Sequence, residues 1–146
     1  MEKVKVKIIR LDGAKDPQYM TPGAAGMDIH AYIEEAITLQ PLERKIIGTG
    51  LELEFPIGYE IQVRPRSGLS ANYGLTVLNS PGTIDSDYRG ELKVLLVNLS
   101  NEAYTIEPGE RVAQIVLAKY EQIVLESAKK FNKTERGNGS FGHTGS

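Results

Sequence analysis

The chain contains no cysteine, which excludes a disulfide framework and a thiolate metal site. It has only two histidines, and His143 has no second histidine spaced to make a metal site with it. No apolar run approaches the roughly 18 residues of a membrane span, so no membrane partner is expected. The opening stretch, MEKVKVKIIR, lacks the apolar segment of a secretory signal. A soluble, cytoplasmic protein is the expectation. A strong excess of one charge is missing too. The formal net charge of -2 excludes a globally basic nucleic-acid binder, and no nucleic-acid partner is expected. A polyphosphate ligand remains open where positive charge gathers locally, and Arg64, Arg66, Arg89, Lys93 and Arg136 gather in glycine-containing stretches.

What is present is ordinary. The 146 residues are enough for one domain with a real core and short for two. Apolar and charged fractions of 40% and 25% are those of a globular protein. The apolar period is mostly two: Val4, Val6 and Ile8 alternate with lysines, which predicts a half-buried strand. Further strand-like runs are Asp28–Ile33, Ile46–Phe55, Tyr59–Val63, Leu75–Leu78, Glu91–Leu99, Tyr104–Ile106 and Val112–Lys119. Proline and glycine punctuate them at Pro22-Gly23, Pro41, Pro56, Gly58, Pro81-Gly82 and Pro108-Gly109. Many short strands with frequent turns predict an all-β fold, a jelly-roll-like barrel or sandwich. One short helix is expected at Ser67–Tyr73, too brief for a parallel α/β architecture. The domain is expected to span 1–128, followed by a flexible glycine-rich tail, 129–146, with Phe131 and Phe141 as its only large apolar side chains.

Three stretches could carry chemistry. In Gly82–Gly90, GTIDSDYRG, a carboxylate beside a tyrosine and an arginine suits water activation next to a sugar phosphate. On extended backbone Asp85 shares a face with Thr83 and Asp87 while Tyr88 takes the other, and a turn would change this. Read alone, DSD is more simply an acidic turn. Arg64-Pro65-Arg66-Ser67-Gly68 sets guanidinium groups, a hydroxyl and backbone N–H groups together at a strand end, a workable phosphate cradle. A strand-to-loop corner with a capping serine explains it about equally well. It is not a Walker motif, because no Gly-Lys-Ser/Thr follows. In the tail, Arg136 supplies a bidentate donor, Phe141 a stacking face, and the glycines close backbone approach. A disordered linker is the plain alternative there. Ala25-Gly26-Met27-Asp28 reads as a turn into a strand, and Gln114 is a polar residue amid apolar neighbours that needs a partner if buried.

Order makes these signals specific. AGMD, PRSGL, GTIDSDYRG, GERVAQI and RGNGSFGHTG, from Ala25 to Gly145, resemble in sequence and rough spacing the five motifs of the trimeric all-β dUTPase family. The resemblance implies hydrolysis of dUTP to dUMP and pyrophosphate, limiting uracil in DNA and supplying dUMP for dTMP synthesis. It implies that Asp85 activates the water that attacks the α-phosphorus, with Mg²⁺ bridging phosphate oxygens. Asp28 matches the aspartate that helps hold the metal's water shell. Tyr88 matches the tyrosine lying against the deoxyribose, where a 2′-hydroxyl would clash. Asn79, Thr83 and Ile84 match the hairpin that reads uracil. Arg66, Ser67, Gly68 and Gln114 match positions around the phosphates, Arg136 and Thr144 contacts to the γ-phosphate, and Phe141 with Gly142 the aromatic step over the base. Lys93 falls at a position assigned to nucleotide binding in relatives. A homotrimer with shared sites is implied, each tail closing a neighbour's pocket. Extended chain covers about 3.3 Å per residue, so the tail is long enough to cross.

Two residues depart from the family pattern. His143 stands where serine is common, and Pro81 removes a backbone donor from the hairpin. Two other readings compete. A dCTP deaminase shares the fold, but needs another hairpin and a group that activates water at C4. A non-catalytic jelly-roll module would keep the pocket without the full set of reactive groups. The intact DSDYRG and complete tail weigh against both.

Overall fold

The computed structural model describes residues 1–145. Ten strands and one helix follow in the order β1 Lys7–Arg10, β2 Met27–His30, β3 Ile37–Leu39, β4 Arg44–Glu54, β5 Tyr59–Arg64, α1 Ser67–Tyr73, β6 Leu75–Val77, β7 Gly82–Ile84, β8 Glu91–Asn98, β9 Tyr104–Ile106 and β10 Arg111–Lys119. One sheet has the order β1-β4-β8-β6, a second β2-β10-β5-β7, and β3 pairs with β9 in a ribbon. All pairings are antiparallel. The sheets are not closed into one barrel.

Both sheets and the ribbon share one core, in which Ile29, Ile61 and Ala113 meet Ile47, Val94, Leu96, Leu39 and Ile106. Each Val, Leu or Ile among them, taken fully out of water, stabilises the fold by roughly 2 kcal/mol before chain entropy is counted. Alternation sets the inward faces. In β5, Ile61 and Val63 are buried while Arg64 is exposed and Gln62 only partly covered, as a two-residue period requires.

Boundaries follow local chemistry. Pro65 has no N–H for the ladder, so β5 stops at Arg64. The chain turns through Arg66 in extended conformation, and α1 opens at Ser67. The helix ends at Gly74, whose φ of 68° is left-handed and whose N–H returns to the Ser70 carbonyl at 3.0 Å. A Cβ at Gly74 would come within 2.9 Å of the Ser100 amide nitrogen, so glycine is required twice over.

Three expectations need correction. The alternation at Val4–Ile8 is real, yet only Lys7–Arg10 pairs, because β4 ends opposite Lys7 at Glu54. Val6 still packs against the core from outside the strand. Ile37–Leu39 and Gly82–Ile84 are strands that the sequence pattern did not reveal, each only three residues long.

Candidate active site

Four of the five motif stretches converge on the second sheet. AGMD enters β2, GERVAQI forms β10, RPRSG leaves β5, and GTI is β7. Gln114 on β10 lies opposite Asp28 on one side and Arg64 on the other. Its amide donates to the Pro65 carbonyl at 3.0 Å, which answers the need for a partner. Gly26 allows this, since a Cβ there would stand 2.1 Å from Gln114 Oε1.

Asp28 is the hub of the corner. Arg111 Nη1 donates to its Oδ2 at 3.0 Å, and Arg66 Nε stands 3.5 Å from the same oxygen. Arg66 Nη1 also donates to the Arg111 carbonyl at 3.2 Å. The Asp28 side chain is only 14% exposed, so it needs these partners to remain buried. Two cations against one anion leave the corner with a surplus positive charge suited to phosphate. Arg111 was not among the residues picked out in the sequence. Its signal there was faint, an arginine opening a strand that pairs with the one carrying Asp28. Ser67 and Gly68 are exposed beside the corner. A Cβ on Gly68 would meet nothing within 4 Å, so packing does not demand glycine there, whereas close approach of a ligand would.

Asn79 lies in the connection from β6 to β7, and Thr83 and Ile84 lie on β7, which pairs with β5 rather than with β6. A Cβ at buried Gly82 would sit 3.2 Å from that of Val63 and 3.4 Å from Asn79 Nδ2, so Asn79 reaches over the start of β7. Past Ile84 the backbone turns. The Tyr88 N–H donates to the Asp85 carbonyl at 3.1 Å, replacing the extended geometry as a guide to facing. Asp85, Asp87 and Tyr88 are exposed, while Ser86 is buried. Arg89 closes the turn by donating to the Ser86 carbonyl at 2.8 Å.

These two groups stay apart within one chain. Gln114 is level with Arg64 and Ile84 with Ile61, three residues or about 10 Å along the strand, and Asp85 lies beyond Ile84. Lys93 is exposed on β8, in the other sheet. Among the described residues, no hydrogen bond joins the tail to either group. From Glu121 onward nearly every described residue is exposed, and the segment is held by its own turns. Arg136 Nε donates to the Gly139 carbonyl at 2.9 Å, and the His143 N–H to the Ser140 carbonyl at 3.0 Å. Phe141, Gly142 and Thr144 project into solvent; Ser146, the last residue of the expected tail, lies outside the described residues. A cavity of about 270 Å³ lined by Lys15, His30, Tyr32 and Gly109 includes none of the site residues. The candidate site is therefore open surface on a single chain.

No group of three or more His, Asp or Glu among the described residues could hold a metal. The donor set does not fit a protein cage. It does fit an ion carried mainly by phosphate oxygens and retained water, the habit of magnesium, and both arginine contacts of Asp28 fall on Oδ2.

Two open antiparallel sheets over one core, with polar motifs strung along one of them, place the chain among the jelly-roll-like β proteins. The dUTPase family profile matches residues 12–145. The chain is 61% identical over 145 residues to the deoxyuridine 5'-triphosphate nucleotidohydrolase of Fusobacterium nucleatum, covering 99% of each. To the enzyme of the same name from Finegoldia magna it is 54% identical over 142 residues, covering 97% of this chain and 99% of the relative. A mutant dUTPase of Staphylococcus bacteriophage 80alpha, solved with dUpNHpp, superposes with a TM-score of 0.87 at 27% identity, over 97% of this chain and 99% of that one. The phage phi11 dUTPase, described with a structural Mg(II) ion, shares the fold with a TM-score of 0.79 at 23% identity, over 88% of this chain and 99% of that one. The chain belongs to the dUTPase family.

Proposed function

We propose that this dUTP diphosphatase cleaves dUTP to dUMP and pyrophosphate with a water molecule activated by Asp85. Support comes from an exposed carboxylate fixed in a closed turn beside Tyr88, together with a separate surplus of positive charge at Arg66 and Arg111. Asp85 takes a proton as the water oxygen bonds to the α-phosphorus. The bond from that phosphorus to the bridging oxygen breaks, and its electron pair leaves with pyrophosphate. Such a displacement needs an oriented nucleophile and neutralised leaving charge more than covalent chemistry. Arg66, with the Ser67 and Gly68 backbone and Gln114, would hold the phosphates. Asn79 and the Thr83–Ile84 backbone would read uracil, Tyr88 would pack on the deoxyribose, and Lys93 would add positive charge near the nucleotide. Asp28 would help hold Mg²⁺ through water, and the ion would supply positive charge to the phosphates.

The active unit is a homotrimer. One chain keeps Asp85 about 10 Å or more from the phosphate corner along the strands, and its tail reaches neither, so each site draws on several subunits. Arg136 and Thr144 then reach the γ-phosphate while Phe141 and Gly142 cover the base. The body, residues 1–128, works as one domain and 129–146 as a closing strap. The enzyme acts in the cytoplasm, where its nucleotide substrate is made.

Pyrophosphate release from dUTP, dCTP, dTTP and UTP with Mg²⁺ tests the assignment. Release should be confined to dUTP, and Asp85→Asn should slow it by about 10³-fold, the scale of a lost general base. Equal release from all four, or ammonia from dCTP, overturns it.

A further inference from the structure

Gly90 and Glu91 lie beside Tyr88 and are themselves assigned no contact with substrate. The Tyr88 hydroxyl donates to the Glu91 carbonyl at 2.8 Å. Its ring folds back across Gly90. A Cβ there would stand 2.5 Å from the hydroxyl oxygen, 2.7 Å from Cζ and 3.0 Å from Cε1, so any side chain at 90 pushes the ring away. Gly90 is not among the glycines with positive φ. Its backbone does not call for glycine; the ring does.

The anchoring carbonyl is itself fixed. The Glu91 carboxylate reaches across to β4 and accepts the Gly50 N–H at 2.9 Å. It occupies the space over Gly48, where a Cβ would come 2.4 Å from Oε2. The same stretch of β4 carries the break in register between Gly48 and Glu52. Next to it, the Thr49 hydroxyl donates to the Leu92 carbonyl at 2.6 Å. Gly48 and Gly50 thus form a socket for the Glu91 carboxylate, and the Glu91 carbonyl holds the ring.

We propose that Gly90 and Glu91 are positioning residues for the choice between deoxyribose and ribose, because they clamp Tyr88 in the place where a 2′-hydroxyl would collide with it. This rests on the reading of Tyr88 as the residue that meets the sugar. Exclusion by collision works only while the obstacle stays put. Tyr88 is 42% exposed, and without the clamp its ring can swing toward solvent and admit the extra hydroxyl. A role in folding alone would lower stability, or turnover of both nucleotides together, and leave their ratio unchanged.

The test is the ratio of kcat/KM for UTP to that for dUTP in the full chain. Gly90→Ala should raise it about 10-fold or more, and Tyr88→Phe, which keeps the ring but loses the bond, should raise it by a smaller factor. Glu91→Ala should raise it, and Glu91→Gln, which can still accept from Gly50, should stay near native. Tyr88→Ala calibrates the gate. If Tyr88→Ala leaves the ratio unchanged, the reading of Tyr88 falls and the clamp with it. If Tyr88→Ala relaxes selectivity while Gly90→Ala and Tyr88→Phe stay within about twofold of native, the gate stands and the clamp is wrong. Should Gly90→Ala not fold, Tyr88→Phe and the Glu91 pair decide alone.

Discussion

Asn98 shows how much one polar side chain can hold. It is fully buried at the end of β8, and its amide donates to the Leu39 carbonyl at 3.0 Å and the Glu102 carbonyl at 2.7 Å. Its oxygen accepts from the Ser100 N–H and hydroxyl at 2.9 and 2.8 Å. Asn98→Ala strands buried backbone groups, and the expected loss is about 3 kcal/mol of stability. Urea midpoints at fixed protein concentration measure it; a shift worth less than ~1 kcal/mol would mean that water takes over these bonds. Among single residues, legibility tracked the local run. Arg66 and Ser67 stood out because Arg64 to Gly68 reads as a motif, although Arg66 finds its partners in distant Asp28 and Arg111. Arg111 did not, since its partner Asp28 is 83 positions away and only the β2–β10 pairing joins them.

Elements were legible where a period or a breaker was long enough to read. α1 carries its own bounds, Pro65 ahead of it and Gly74 behind, and both could be read directly. β7 and β3 have three residues each, and unlike the equally short β6 and β9 they stand out by neither a period nor their flanks. Their existence depends on β5 and β9 offering free edges, a tertiary fact. The tail is the element whose composition says least. Glycine-rich, exposed chain is what a linker looks like too, and only Arg136, Phe141 and Thr144 mark it as more. Its turns are local, such as the Gly145 N–H donating to the Gly142 carbonyl at 2.9 Å, so removing it exposes no core. Truncation after Lys133 should leave assembly and urea midpoint unchanged and lower dUTP turnover by about 100-fold or more, through lost positioning and water exclusion. Native turnover in the truncated protein would reduce the tail to a linker.

The molecule as a whole presents its chemistry in three separated pieces. The phosphate corner sits where β2, β10 and β5 meet, the Asp85–Tyr88 turn lies past the end of β7, and the exposed C-terminal segment that carries the tail follows Tyr120. No strand pattern encodes a rotation axis, which is why a trimer was expected only from the resemblance to relatives. Large exposed apolar side chains, Ile46 at 67%, Leu99 at 60% and Leu42 at 77%, are the kind of surface that subunit contact removes from water. If sites are shared, two inactive variants should repair each other. Asp85→Asn keeps its tail and has no base; the chain truncated after Lys133 keeps its base and has no tail. Refolded together from denaturant in equal amounts, they form mixed trimers in which an intact base meets an intact tail from another subunit at about one site in four. Activity should rise from near zero toward about a quarter of native for a closed three-fold assembly. A tail that closed only its own chain's site could never rescue either partner, because no chain in the mixture carries both parts. Mixtures that stay as inactive as their components, despite mixed trimers shown by a mass tag on one partner, would place the tail and base of each site on the same subunit.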